Sequence, residues 1–274
     1  MSDPGDRPTD ELTSHANPRI KAVVRLRERR ERETTGLTVV DGAREIGRAL
    51  DAGVEVVEAF VSVPMATGEA ARGVIARLEA ALAGPRVARV SRDLIEKVAF
   101  GDRSEGLVAV VRTPTIGLED LHLPDPPLVA VLEGVEKPGN LGAVLRSADG
   151  AGLDAVIAAD PRTDLFNPNA IRASLGTIFA VPVASATTAE TLGWLRAHGF
   201  RIVTARVDGS VLHTDADLTG PLAIVLGSEA GGLTAAWEAP DVVPVRLPMR
   251  GTADSLNVSV AAAVLFYEAL RQRS

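Results

Sequence analysis

From Leu128 onward, short apolar runs alternate with segments of helical pattern, and this alternation most constrains the fold. Strands are expected at residues 128–132, 155–159, 201–205, 222–226 and 242–245. Helices are expected at 141–150, 168–174, 189–197 and 255–271. Strands joined by crossover helices imply a mostly parallel sheet covered on both faces. In such sheets ligands bind outside the carboxyl ends of the strands. The loops after Leu226 and Val245 are therefore where a pocket is sought.

Both loops have the right composition. Gly227-Ser228-Glu229-Ala230-Gly231-Gly232 directly follows an apolar run. Glycines there let the backbone approach a ligand closely. Leu247 to Tyr267 begins with a polar leader (Pro248, Gly251, Thr252, Ser255, Asn257) and becomes an Ala/Val-rich helix. Polar groups held at the edge of a dry core suit a small-molecule site. A third loop, Glu133 to Asn140, leads into a helix, with Asn140 where an N-cap belongs. Arg146 lies one and two-thirds turns later. Each has a plainer reading: Asn140 caps, Arg146 is a surface charge, and Glu229 is a capping carboxylate.

Neither G-x-x-x-x-G-K-[ST] nor G-x-G-x-x-G is present. Phosphate-rich cofactors are therefore disfavoured, and an adenosine derivative without phosphate fits better. The chain has no cysteine, which excludes disulfides, thiolate catalysis and Cys-based zinc sites. Its four histidines are scattered, so no metal is expected.

No apolar run is long enough for a transmembrane helix. The polar, acidic start lacks the pattern of a secretory signal, so a cytoplasmic location is expected. The net charge of −7 argues against wholesale polyanion binding. Yet Arg19, Lys21, Arg25, Arg27, Arg29, Arg30 and Arg32 crowd one segment. That segment is either a solvated amphipathic helix over 18–32 or a face that contacts phosphates. The expected layout is a disordered tail at 1–16, a small α/β/α domain at 17–112, a proline-rich linker at 113–127 and the larger α/β domain at 128–274.

Taken together, EKPGNLGAVLRSADGAG, LGSEAGGL and LPMRGTADSLNVSVAAAVLFYEA resemble the three motifs of the SpoU-type RNA 2′-O-ribose methyltransferases. This is the TrmH family, a branch of the SPOUT superfamily. The motifs agree in order and spacing. The N-terminal part resembles, more loosely, the ribosomal-protein-like substrate-binding domain of some members.

The resemblance implies a SPOUT α/β domain with a trefoil knot, S-adenosylmethionine as cofactor, and a homodimer. It implies cofactor contacts at Gly227, Leu247 and Leu256, with Leu226, Met249 and Thr204 as further candidates. Arg146 would assist the ribose hydroxyl. Because arginine stays protonated, its role is positioning or electrostatic. Asn140 would orient the arginine or the substrate, and Glu229, Ser255 and Asn257 would position substrate and loops. RNA would be met by Arg25, Arg27, Arg29, Arg30 and Arg103. The expected substrate is ribosomal (23S) RNA. The alternatives are transfer RNA, or a non-catalytic RNA- or ribosome-binding protein that kept the fold.

Overall fold

The computed structural model describes residues 11–82, 86–100, 105–229 and 231–274. Their contacts divide into two compact units. One runs to Pro114 and includes Phe166–Arg172; the other holds Thr115–Leu165 and Ala173–Ser274.

The first unit contains helices α1 (Pro18–Arg25), α2 (Arg29–Thr35), α3 (Ala43–Asp51), α4 (Glu69–Ala81) and α5 (Arg92–Val98). Its strands are β1 (Leu37–Asp41), β2 (Val56–Val61), β3 (Val87–Arg89) and β4 (Leu107–Arg112). They form one sheet in the order β1-β4-β2-β3. Strand β4 is antiparallel to β1 and β2, and β3 is parallel to β2. Ile20, Val23, Leu26, Phe60, Leu94 and Ile95 share one core cluster.

The single helix expected over 18–32 is two helices. Its break is stabilised by Arg32, which is buried and donates to the carbonyls of Leu26 and Arg27. These carbonyls lie just past the end of α1, where helical donors run out. The expected tail also differs. Leu12 donates to the Arg89 carbonyl at 2.8 Å, and Ser91 donates to the Leu12 carbonyl at 3.1 Å. Residues 1–10 lie outside the described residues. Phe166–Arg172 joins this unit through bonds such as Thr38 Oγ1 to the Phe166 carbonyl, 2.7 Å.

The second unit contains β5 (Leu128–Glu133), α6 (Pro138–Ala151), β6 (Ala155–Ala159), β7 (Val183–Ala186) and α8 (Thr188–Ala197). It continues with β8 (Arg201–Ala205), β9 (Val211–Leu212), β10 (Leu222–Leu226), β11 (Val242–Arg246) and α9 (Val258–Arg273). A further helix, α7 (Pro168–Ala173), crosses the boundary between the two contact groups.

The seven strands order as β7-β6-β5-β10-β8-β11-β9, and every pair is parallel. The carboxyl ends of β5, β10, β8 and β11 therefore open on one edge. Strands β5, β6 and β10 are buried along their whole length, as a sheet covered on both faces requires. The stretch read as a linker is largely committed to this unit. Ile116, Leu118, Leu121 and Leu123 pack on its core, and Ser185 donates to the Ile116 carbonyl at 3.1 Å. Among the described residues, no helix is long and apolar enough to cross a membrane.

Candidate active site

Three loops at this edge meet. The first leaves β5 through Gly134, which has φ +63°. Pro138 then occupies the first position of α6, where its fixed φ and missing N–H suit a helix start. The cap is Lys137, so Asn140 is in the first turn rather than the capping position expected for it. Its side chain is thereby free to reach across.

The second loop follows β10. A Cβ on Gly227 would overlap the Gly232 carbonyl group, so only glycine fits. Ser228 and Gly232 pair antiparallel, at 3.1 and 2.9 Å, and Ser228 Oγ accepts from Gly231 N at 3.1 Å. This tight turn presents Glu229.

The third loop precedes α9. Asn257 caps that helix: its Oδ1 accepts from Ser259 N (2.9 Å) and Ser259 Oγ (2.7 Å). Helix α9 thus starts three residues later than expected, and Ser255 does not cap it. The Asn257 amide still has two donor hydrogens. Nδ2 donates to Glu229 Oε1 at 3.0 Å and lies 3.4 Å from Asn140 Oδ1. Asn140 Nδ2 also donates to Glu229 Oε1. The other carboxylate oxygen, Oε2, pairs with Lys137 Nζ. The Lys137 ammonium, followed by the Asn140 amide, holds the Glu229 carboxyl below the usual carboxylate range.

Two cavities share this wall. The larger, about 660 Å³, is lined by Leu226, Gly227, Leu247, Met249, Leu256, Ser255, Asn257 and Glu229. Its size, and walls that mix apolar side chains with polar and charged ones, suit a polar small molecule with an apolar part. The smaller, about 270 Å³, has apolar walls from Leu132, Val135, Val144 and Val258. Glu133, Glu136, Lys137, Asn140, Ser228 and Glu229 supply its polar groups. Glu133 is buried and fully engaged, accepting from Thr188 Oγ1, Thr234 N and Thr234 Oγ1 at 2.7–2.9 Å. It ties the end of β5 to the far side of the Glu229 turn.

Other expected residues lie elsewhere. Thr204 is fully buried within β8 and is not among the residues lining the larger cavity; its neighbour Ala205 is. Successive strand side chains point to opposite faces, which explains the difference. Arg146 is exposed and lines neither cavity. Asn140 and Val144 share one face of α6, and Arg146 is roughly 200° further round.

In the first unit, Arg25 pairs with Glu31 at 3.2 Å and Arg29 with Glu33 at 2.6 Å. Arg27 donates to the carbonyls of Lys97 and Ala99 and lies over the Phe100 ring. Much of the basic segment's charge is thus engaged within the unit. Arg30 is exposed, and Arg103 lies outside the described residues.

Sequence reasoning missed Arg206, Val207 and Asp208, which also line the larger cavity. Arg206 grips Asp208 with two nitrogens, at 2.9 and 3.1 Å, and reaches Glu238 with a third. The rule that favours the loops after Leu226 and Val245 applies equally at the end of β8, since all three strands are parallel neighbours.

Comparison with known proteins agrees with this geometry. The model of the SpoU rRNA Methylase family matches residues 127–267, and that of the MRM3-like substrate binding domain matches 17–109. The chain is 36% identical, over 70% of its length and 79% of the relative's, to a protein of Ralstonia nicotianae named 23S rRNA (guanosine-2′-O-)-methyltransferase RlmB. A crystal structure of an RNA 2′-O ribose methyltransferase superposes with a TM-score of 0.82 at 43% identity, covering 96% of this chain and 99% of that one. An AdoMet-bound rRNA methyltransferase from Sinorhizobium meliloti gives a TM-score of 0.85 at 30% identity, covering 96% and 97%. The three loops that meet at Glu229 all fall inside the matched catalytic region, and the chain belongs to the SpoU rRNA methylase family.

Proposed function

We propose that this protein is an S-adenosylmethionine-dependent RNA 2′-O-ribose methyltransferase acting on ribosomal RNA, in a cytoplasmic setting. The observation that carries the reading is the convergence of Asn140, Asn257 and Lys137 on Glu229, at the wall between two cavities. Family membership and the relatives' names support the substrate class. The substrate-binding model over 17–109 supports an RNA-contacting role for the first domain, with Arg25, Arg27, Arg29, Arg30 and Arg103 as its candidate contacts.

The larger cavity fits the cofactor. Leu226, Leu247, Met249 and Leu256 offer apolar walls for adenosine, and Gly227 lets main-chain groups come close. When bound, the cofactor supplies a methyl group on a positively charged sulfur. The methyl would pass from that sulfur to the ribose 2′-oxygen, leaving the neutral thioether, and the hydroxyl proton would be released to solvent. Positioning the two partners in line is the main task of the site. Glu229, fixed by its amide donors, would accept a hydrogen bond from the substrate, and Ser255 would orient it from the cavity's rim. Arg146 would stabilise negative charge at the acceptor oxygen or hold an RNA phosphate, since its guanidinium stays protonated.

The same reading includes a homodimer and the family's trefoil knot. Val260, Val264, Tyr267 and Leu270 are exposed on α9, and the first three recur at helical spacing. Such a stripe suits burial against a second copy. A Cβ on Gly150 would come within 3.0 Å of Tyr267 Oη, and Arg146 lies one turn before Gly150 on the same face of α6. Covering the stripe would thus bring the Arg146 face of α6 beside the partner. Membership of the family supports the knot, a threading that general topology rules make very rare.

The experiment is to map blocked 2′-hydroxyls in ribosomal RNA from cells with and without the protein. One nucleotide should lose its block when the protein is absent; identical maps would overturn the reading.

A further inference from the structure

We propose that Lys137 is a positioning residue for methyl transfer, holding the Glu229 carboxylate at the wall shared by the two cavities. The inference rests on the proposed function and adds a residue to it.

The Glu229 carboxylate has three donors, two from the start of α6 and one from the cap of α9. Asn140 and Asn257 both address Oε1. Oε2 is held by Lys137. Two donors on one oxygen fix a point but leave the carboxylate plane free to turn about it. The lysine on the second oxygen removes that freedom. Lys137 lines both cavities, as do Glu229, Gly227 and Ser228, so the ion pair sits in the partition between them.

Among the described residues, the Lys137 side chain makes no hydrogen bond or ion pair besides the one with Glu229. Lys137 is the cap residue of α6, yet its side chain makes no capping bond. Its side chain is 69% exposed, whereas that of Glu229 is 27% exposed. An exposed ion pair contributes little to folding, so its worth lies in geometry. The ammonium also favours the ionised carboxylate, which makes Glu229 a weak base and a steady hydrogen-bond acceptor. Its acidity is therefore matched to orienting a hydroxyl rather than to taking its proton.

The test compares wild type, Lys137→Met and Lys137→Arg in single-turnover methylation of ribosomal RNA, with cofactor affinity measured by titration. Wild-type transfer to RNA is the control, and its absence would sink the proposed function rather than this inference. Lys137→Met should slow the single-turnover rate at saturating RNA by about tenfold to a hundredfold, the scale of a misplaced reacting group. Cofactor affinity should stay within about twofold. The acid limb of the rate profile should move to higher pH, as Glu229 loses its stabilising cation. Lys137→Arg should restore most of the rate. An unchanged rate at saturating RNA would overturn the inference. So would a loss confined to RNA affinity with a salt slope lower by about one, the mark of a phosphate contact.

Discussion

At the scale of single residues, Asn257 carries two duties on one amide. Its oxygen caps α9 and its nitrogen addresses Glu229. The two duties are separable. Asn257→Asp keeps an oxygen for the Ser259 N–H but replaces the donor facing Glu229 with a second acceptor. It should fold with near-normal stability and lose most methyl transfer. Asn257→Ala removes both, and should cost about 1 kcal/mol of stability as well, the usual worth of a cap. Urea unfolding alongside a transfer assay checks this. Equal activity in Asn257→Asp and wild type would show that the amide donor is dispensable.

Asn257 also shows what was legible in the sequence. Its residue type and its place before an apolar helix reveal a cap, and the motif resemblance adds a role in the site. Its partner is not legible, because Asn140 and Glu229 are far away in the chain and only the fold brings them together. The role of Lys137 is hidden in the sequence for the same reason. A lysine before a proline reads as a loop charge until Glu229 is placed beside it.

At the scale of elements, the turn after β10 depends on Gly227. The backbone of Gly232 occupies the space a side chain would need. Gly227→Ala must push the turn apart, at a cost of about 1–3 kcal/mol. Glu229 would move with it, and the larger cavity would lose part of its wall. The expected result is weaker cofactor binding in calorimetry together with a lower unfolding midpoint. Unaltered binding would mean that the turn tolerates displacement.

Most of the central strands were legible because buried parallel strands read as continuous apolar runs. Strand β7 was not, since its outer half, Ser185 and Ala186, is not buried and its sequence lacks large apolar residues. The split between α1 and α2 was also hidden. Helical residues continue through the segment, and the break depends on buried Arg32 reaching back to two carbonyls.

At the scale of the whole molecule, Arg146 lines neither cavity of its own chain, so in the proposed dimer it would serve the partner's site. Val264→Asp would place a charge in the middle of the exposed α9 stripe. It should convert the dimer to monomer in sedimentation and abolish transfer while leaving the fold intact. A wild-type protein that sediments as a monomer at micromolar concentration would contradict the dimer outright. Mixing an Arg146→Ala chain with a Glu229→Gln chain should recover part of the activity, because one site of each mixed dimer keeps both groups. No recovery would place Arg146 and Glu229 in the same chain's site.

The central claim is the position of the transferred methyl group. The measurement is incubation of the protein with S-adenosylmethionine labelled in its methyl group and unmodified ribosomal RNA, followed by alkaline hydrolysis. A methylated 2′-oxygen cannot attack its neighbouring phosphate. The label should therefore appear in a single alkali-resistant dinucleotide, and disappear with Arg146→Ala while that variant still binds the cofactor. Label released in mononucleotides, as base methylation would give, or no transfer at all, would contradict the account.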